Sequence, residues 1–324
     1  MLRKISAVIL STLVAGAIIA VLLSRVWDEL VITIREADPL YLVAACIICF
    51  LAWILRGSRY QYILRRLMVS VGILFSTACI FVSQTTNLIV PARLGDLIRL
   101  LILKHEKGLS YTTGFSSLLT ERVFDVLTIA LLGAIALVFV VGRMPQWFSL
   151  LIGAALLGGF VFFLVLFFSG RLSSENRIFA KIIEVLAEIR SVSLTPTALV
   201  TITLSSIAVW IIDSLICMMV ALMFGEGISF MVVVLAIAIG NLVKAVPITP
   251  GGIGTYELAL ALTFELAGVS AGTAVLIAII DHLIKNLVTL AGGALSIYYF
   301  GDWTLSLLKR AYSGDIRSEI NGRD

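Results

Sequence analysis

Apolar runs separated by short polar stretches fill the chain from Ile5 to Phe300. A helix needs roughly 20 apolar residues to cross a bilayer. Eight runs supply such spans: Ile5–Leu23, Leu40–Leu55, Met68–Val90, Tyr111–Val141, Trp147–Phe168, Thr197–Phe224, Ser229–Val246 and Ser270–Phe300. The pattern predicts an all-α integral membrane protein with about eight transmembrane helices. The first run follows Arg3 and Lys4, as a signal peptide would. No small-residue cleavage site precedes the charged stretch Arg25, Asp28 and Glu29, so the run is expected to remain as an anchor.

Two of the runs are interrupted in the same way. The first interruption reads NLIVPARLGDLIRL, from Asn87 to Leu100, and the second reads NLVKAVPITPGGIGTYEL, from Asn241 to Leu258. Pro91 and Gly95 match Pro250 and Gly254, and Pro247 adds a further helix break to the second copy. Downstream, Gly108-Leu109-Ser110 matches Gly268-Val269-Ser270, and Glu121 matches Asp281. The two repeats cover about 68–142 and about 229–300. Paired interruptions in two halves of a membrane chain point to a transport site.

Composition agrees with the bilayer as solvent. Of the 324 residues 60% are hydrophobic and 14% charged, and mean hydropathy is +1.10. A soluble domain carries about a quarter charged residues, and this chain has too few to cover such a surface. The net charge of +4 reflects Lys and Arg expected in cytoplasmic loops, and nothing supports a nucleic-acid partner. Cys46, Cys49, Cys79 and Cys217 all lie inside apolar runs and read as small packing residues. With His105 and His282 far apart, no metal site and no cofactor is expected.

Loop charge suggests the topology. The stretch from Arg56-Gly57-Ser58-Arg59 to Arg65-Arg66 reads as an arginine-rich loop without acids, which belongs in the cytoplasm. The N-terminus is then cytoplasmic too, the net acidic segment Arg25–Asp38 outside, and the tail at 305–324 inside, with Lys309, Arg310, Arg317 and Arg323. The basic stretch Arg171–Pro196, with Arg171, Arg177, Lys181 and Arg190, is cytoplasmic only if Pro91–Gly108 dips into the membrane and returns. By the same parity Pro247–Gly268 re-enters from the outer side. Pro91–Leu103 as a helix would be about 20 Å long, too short to span. The expectation is two inverted repeats, each containing a Pro/Gly-broken re-entrant hairpin. The alternative is that both breaks are ordinary loops and Arg171–Pro196 lies outside. Within that stretch, a helix over about 174–191 has Ile178, Ile182, Val185, Leu186 and Ile189 at helical spacing, which fits a membrane-surface helix or a plain connector.

Charges gather around the two interruptions, where each costs about 2.5–3.5 kcal/mol in a bilayer unless it is paired or hydrated. The first half offers Arg93, Asp96, Arg99, Glu121, Arg122 and Asp125. The second offers Lys244, Glu257, Glu265, Asp281, His282 and Lys285, with Asp213 a lone addition. Glu121 and Asp125 share a helix face and repel unless Arg93, Arg99 or Arg122 intervenes, so a cross-repeat network of both signs is expected. Arg93, Arg99 and Arg122 suit a phosphate, since guanidinium is planar and bidentate. Gly251, Gly252 and Gly254 precede a helix start near Thr255, which reads as an anion site or as a tight, closely packed turn. Asp96, Glu121, Asp125, Lys244, Glu257, Asp281 and Lys285 would line a polar cavity and bind a cation or protons. The competing reading is that the charges pair only with one another and brace the hairpins.

Two strings, PARLGDLIRL with the later ERVFD (Glu121–Asp125) and PITPGGIGTYE (Pro247–Glu257), resemble the lysylphosphatidylglycerol synthase transmembrane, or flippase-like, family. The resemblance covers about residues 5–303 and implies one membrane domain over 1–304 that moves lipids with polar headgroups between leaflets. Bifunctional members add a soluble aminoacyltransferase domain. This chain ends about 24 residues after its last span, so that domain is expected to be absent. The leading expectation is translocation of a phosphate-bearing phospholipid or polyprenyl-linked lipid in the cell membrane, without enzymatic activity. The alternatives are an intramembrane enzyme of lipid-linked sugar or phospholipid metabolism, with Glu121 and Asp125 as acid and base, and a non-catalytic scaffold. The expected partners are membrane lipids; a homo-oligomer and a lipid-modifying enzyme partner are both compatible with the sequence.

Overall fold

The computed structural model describes residues 13–24, 27, 35–90, 93–140, 144–246 and 248–313. The expectations for Arg3, Lys4, Arg25, Asp28, Glu29, Pro91, Pro247 and the tail from 314 lie outside these residues. Among the described residues the secondary structure is helical throughout. The helices are α1 (Leu13–Ser24), α2 (Pro39–Arg66), α3 (Ile73–Ile89), α4 (Gly95–Lys107), α5 (Tyr111–Phe139), α6 (Gln146–Ser169), α7 (Arg177–Ser193), α8 (Pro196–Met223), α9 (Phe230–Ala245), α10 (Thr255–Leu266), α11 (Ala271–Phe300) and α12 (Asp302–Ser313). A single 3₁₀ turn, Pro250–Gly252, precedes α10.

Five helices, α2, α5, α6, α8 and α11, are long and apolar enough to cross a membrane, and α1, α3 and α9 are shorter apolar helices. The chain is therefore an all-α, multi-pass membrane protein. Helix α6 turns Leu150, Leu157, Phe160 and Phe167 outward, as a lipid-facing helix must. Helix α9 has the opposite character: 232–240 and Leu242 are all buried. It packs against α5, α6, α8 and α10, which makes it the central post of the molecule. With 17 and 16 residues, α3 and α9 are about 26 and 24 Å long, short of the roughly 30 Å hydrocarbon core. Each stops at its sequence interruption.

The matched halves pack in a matched pattern. Helix α3 contacts α4, and α9 contacts α10; α4 contacts α5, and α10 contacts α11. Each half also reaches across, α3 onto α11 and α9 onto α5. The corners after the short arms repeat as well. Gly108 (φ 66) and Gly268 (φ 101) end α4 and α10 in left-handed backbone. Ser110 and Ser270 then cap α5 and α11, accepting from the N–H of Thr113 (3.0 Å) and Thr273 (3.2 Å). Gly95 lets α4 lie against α3: a Cβ there would stand 2.1 Å from the Ser83 carbonyl oxygen.

Two segments differ from expectation. Arg56–Arg66 is not a loop but the last turns of α2, with Arg59, Tyr60, Ile63 and Leu64 buried. The 3–4 residue spacing of Trp53, Arg56, Arg59, Tyr60 and Ile63 carries the helix on past its apolar run. Only Arg65 and Arg66 remain at the helix end to argue for its side of the membrane. The chain also does not leave the helical body at residue 304, because α12 packs against α4 and α11, with Thr304 and Leu307 buried and Trp303 stacked on His105 at 4.0 Å. Helix α7 occupies nearly its expected range; Ile178 and Ile182 are exposed, and Ile189 is buried against the body.

Candidate functional site

The charged residues surround a cavity of about 190 Å³ between the two halves, walled on a third side by α2 and α8. Its basic lining is Arg56, Arg59, Arg93, Arg122, Lys244 and Lys285; its acidic lining is Glu121, Asp125 and Asp213. Amides from Gln84, Asn87, Asn241 and Asn286 and the rings of Trp53, Trp210 and Tyr256 complete the wall. The volume modestly exceeds the ~150 Å³ engineered apolar cavity that takes up benzene. It suits one headgroup-sized moiety, not a lipid with its tails.

Two ion-pair networks border the cavity. On the first half, Arg59 grips Asp125 with Nη1 at 2.6 Å from Oδ1 and Nη2 at 3.1 Å from Oδ2, and reaches Glu121 at 3.2 Å. Arg99 also binds Glu121, and its guanidinium lies 4.6 Å from the Tyr60 ring centroid. Asp96 accepts from Arg122 (3.1 Å), Asn87 (3.1 Å) and Ser83 (3.2 Å). The Trp210 indole N–H donates to Asp125 at 3.1 Å. On the second half, Asp213 accepts from Arg56 (2.7 Å) and Lys285 (2.9 Å), and Lys285 also meets Asp281 at 2.9 Å. Tyr256 donates its hydroxyl to Asp281 at 2.8 Å.

These pairings correct the expected cross-repeat network. Among the described residues, no ion pair joins the first half to the second; each half pairs internally or with α2 and α8. The group between Glu121 and Asp125 is Arg59, together with Arg99, and Arg93 does not take that place. Glu265 is exposed and lies outside the cluster. Asp213 is no lone residue, since it holds two cations at once. Arg99 has zero exposure and, with Asp96, sits behind the cavity wall, while Arg93 and Arg122 face the cavity.

Two cations stand apart. Arg93, held in left-handed backbone (φ 54), donates to the Lys244 carbonyl at 3.4 Å, and Lys244 Nζ lies 3.0 Å from His282 Nε2. Neither has a carboxylate within 4 Å among the described residues, yet both line the cavity. His282 Nδ1 is 2.7 Å from Glu257 Oε1.

The glycines, read as an anion site or as a tight turn, form a turn beside the cavity. Gly251 (φ 60) and Gly252 (φ 78) line the cavity in a conformation that favours glycine. The N–H of Gly252 is used within the turn, on the Thr249 carbonyl. The N–H of Gly254 donates to Glu257 Oε2 at 2.7 Å, so the start of α10 already holds an anion, the protein's own carboxylate. A Cβ at Gly252 would stand 2.6 Å from Lys244 Cγ, and one at Gly254 would stand 3.0 Å from Ile18 Cβ. All three glycines sit where a side chain would crowd a neighbour, and Gly251 and Gly252 also line the cavity.

Sequence reasoning missed Arg56 and Arg59, taken as loop residues, and the aromatic wall of Trp53 and Trp210. The helical spacing on α2 was the signal available for the arginines. His282 was noticed as a charged neighbour, but its position between Lys244 and Glu257 was not.

The fold and cavity define a multi-pass helical membrane protein with a charge-lined chamber between two similarly packed halves. The chain belongs to the family described as the lysylphosphatidylglycerol synthase TM region, which matches residues 8–293. It is 33% identical over 332 residues to a protein named Glycosyltransferase AglD from Haloferax volcanii, an alignment covering 87% of this chain and 53% of that protein. The chain thus spans about half the length of that relative. It is also 22% identical to a UPF0104 membrane protein of Methanothermobacter thermautotrophicus, over 83% of this chain and 88% of that one. A UPF0104 membrane protein of Methanocaldococcus jannaschii is 27% identical, over 65% of this chain and 92% of its own length.

Proposed function

We propose that the chain translocates a phosphate-bearing lipid between leaflets, passing the headgroup through the cavity while the tails stay in the bilayer. The observation that carries this reading is the excess of cations in the lining: six basic side chains face three acidic ones, and Arg93 and Lys244 have no carboxylate partner among the described residues. A half-buried cation without a counter-charge is costly, and a phosphate between these two would supply it. Arg122 and Arg56 line the same cavity. Glu121, Asp125, Asp96, Asp281 and Arg99 brace it through their pairs. The amides and the Trp53, Trp210 and Tyr256 rings suit a hydroxylated or glycosylated remainder of the headgroup, in keeping with a relative named as a glycosyltransferase.

The two halves are read as inverted repeats whose short arms, α4 and α10, re-enter the membrane from opposite sides. The exchanged packing of α3 on α11 and α9 on α5, the short lengths of α3 and α9, and the matched Gly-x-Ser corners support this. Both termini are then cytoplasmic. Rocking of one half against the other would expose the cavity alternately to each side.

Purified protein in liposomes with labelled lipids tests the function. Translocation by wild type, lost in Arg93→Gln and Lys244→Gln variants that still fold, is the expected result. No translocation by wild type across a broad panel of phosphate-bearing headgroups overturns it.

A further inference from the structure

We infer that Lys244, His282 and Glu257 form a proton-binding relay that loads one proton into the protein when an anion occupies the cavity. The inference rests on the headgroup reading above and assigns its energy coupling.

The three groups come from three helices and lie in series: Lys244 Nζ at 3.0 Å from His282 Nε2, and His282 Nδ1 at 2.7 Å from Glu257 Oε1. Glu257 is anchored at its other oxygen by the Gly254 N–H, so it accepts at both oxygens. Accepting from the imidazole fixes the hydrogen on Nδ1 and leaves Nε2 with a lone pair. The Lys244 ammonium donates to that lone pair. The other charged neighbours are committed elsewhere. Lys285 and Asp281 pair with each other and with Asp213, and Asp213 also holds Arg56. Tyr256, whose ring centroid stands 4.5 Å from that of His282, donates its hydroxyl to Asp281. Beyond the relay, Arg93 alone remains among the described residues, bonded to the Lys244 carbonyl.

This arrangement makes Lys244 choose between two partners. An anion seated at Arg93 draws the ammonium off His282 and into the cavity. Nε2 then has no donor and takes a proton from cavity water, and Glu257 balances the imidazolium. When the anion leaves, the ammonium returns to a nitrogen that now carries a hydrogen. Two donors cannot share that contact, so the proton goes back to water. Only the N–H bond at Nε2 forms and breaks. Anion and proton therefore load together, and by linkage each strengthens the binding of the other.

The chain has two histidines, His105 and His282, and His105 is exposed at the end of α4. A His105→Gln variant leaves His282 alone to report in nitrogen-resolved NMR of labelled protein in micelles. Sulfate is the probe, because it has a phosphate's shape and does not titrate near neutral pH. The expected result is a neutral Nδ1–H tautomer without sulfate, and protonation of His282 at higher pH with sulfate than without. Sulfate affinity should fall about tenfold for each pH unit between those two midpoints, as one linked proton requires. In a His282→Gln background the affinity should become flat with pH. A His282 signal that does not respond to saturating sulfate, or sits as the Nε2–H tautomer, overturns the relay. Proteoliposomes separate the two failures. Translocation that ignores a proton gradient sinks the relay and spares the function. Absent translocation with intact sulfate linkage does the reverse.

Discussion

Arg59 on α2 holds Asp125 on α5 with both terminal nitrogens, at 2.6 and 3.1 Å, and only Asp125 lies within one of the two matched segments. The bridge clamps a helix outside the two matched segments to one inside them. A buried pair of this kind adds little over well-packed apolar groups, but losing one partner leaves a stranded charge. Arg59→Gln should therefore destabilise the protein by about 3–5 kcal/mol, measured by denaturant titration in micelles. Arg93→Gln, which breaks no ion pair, should leave the midpoint nearly unchanged. Equal losses from the two variants would remove the distinction between bracing and ligand-facing arginines.

Gly95 should tolerate no side chain. A Cβ there meets the Ser83 carbonyl oxygen at 2.1 Å and Asn87 Oδ1 at 2.6 Å, so α4 would have to lift from α3. Gly95→Val is expected to cost at least the roughly 1–3 kcal/mol typical of overpacking. Gly108→Ala, at a position with open space around it but φ of 66, should cost less, close to the penalty for left-handed backbone alone. Thermal melting of the two variants makes the comparison.

The proposed topology puts Lys181 and Glu106 on the cytoplasmic side. Cysteines at these positions, in a chain whose four native cysteines are replaced, should resist an impermeant maleimide in intact cells and react after permeabilisation. Labelling of both from outside would make the two interruptions ordinary loops.

Asp213 binds Arg56 and Lys285 together. Asp213→Asn should release Arg56 and leave Lys285 with Asp281 alone, which raises sulfate affinity while lowering stability by about 3 kcal/mol. Isothermal titration with sulfate, at a temperature where the variant is folded, checks the affinity. A weaker anion site in this variant would mean that Arg56 and Lys285 do not reach the anion.

Most of the helices were legible because a bilayer demands long apolar runs, and five of the eight expected spans agree with observed helices to within two residues at both ends. The Gly-x-Ser corners were legible because glycine and a capping serine act locally. The cavity was only half legible. Hydropathy ends a span at its first cluster of charges, so it stops α2 at Leu55 and places in water the arginines that continue the helix to Arg66. The partners of His282 lie 38 and 25 residues away along the chain, and no spacing rule joins them. Pairing between halves was expected because unlike charges were in supply on both sides. Helices α2 and α8 supplied closer partners, and their part in the site leaves no periodic trace in the repeats.

The carboxylate of Glu257 at the start of α10 bears on how a passenger is released. Backbone amides at a helix end are fixed, and an anion caught there would be held equally well whichever way the cavity opened. With Glu257 seated on the Gly254 amide, a headgroup of the proposed kind would meet the flexible side chains of Arg93, Lys244 and Arg122 in place of that amide. A carrier's turnover depends on departure as much as arrival, and here the tightest available grip is given to a residue that never leaves.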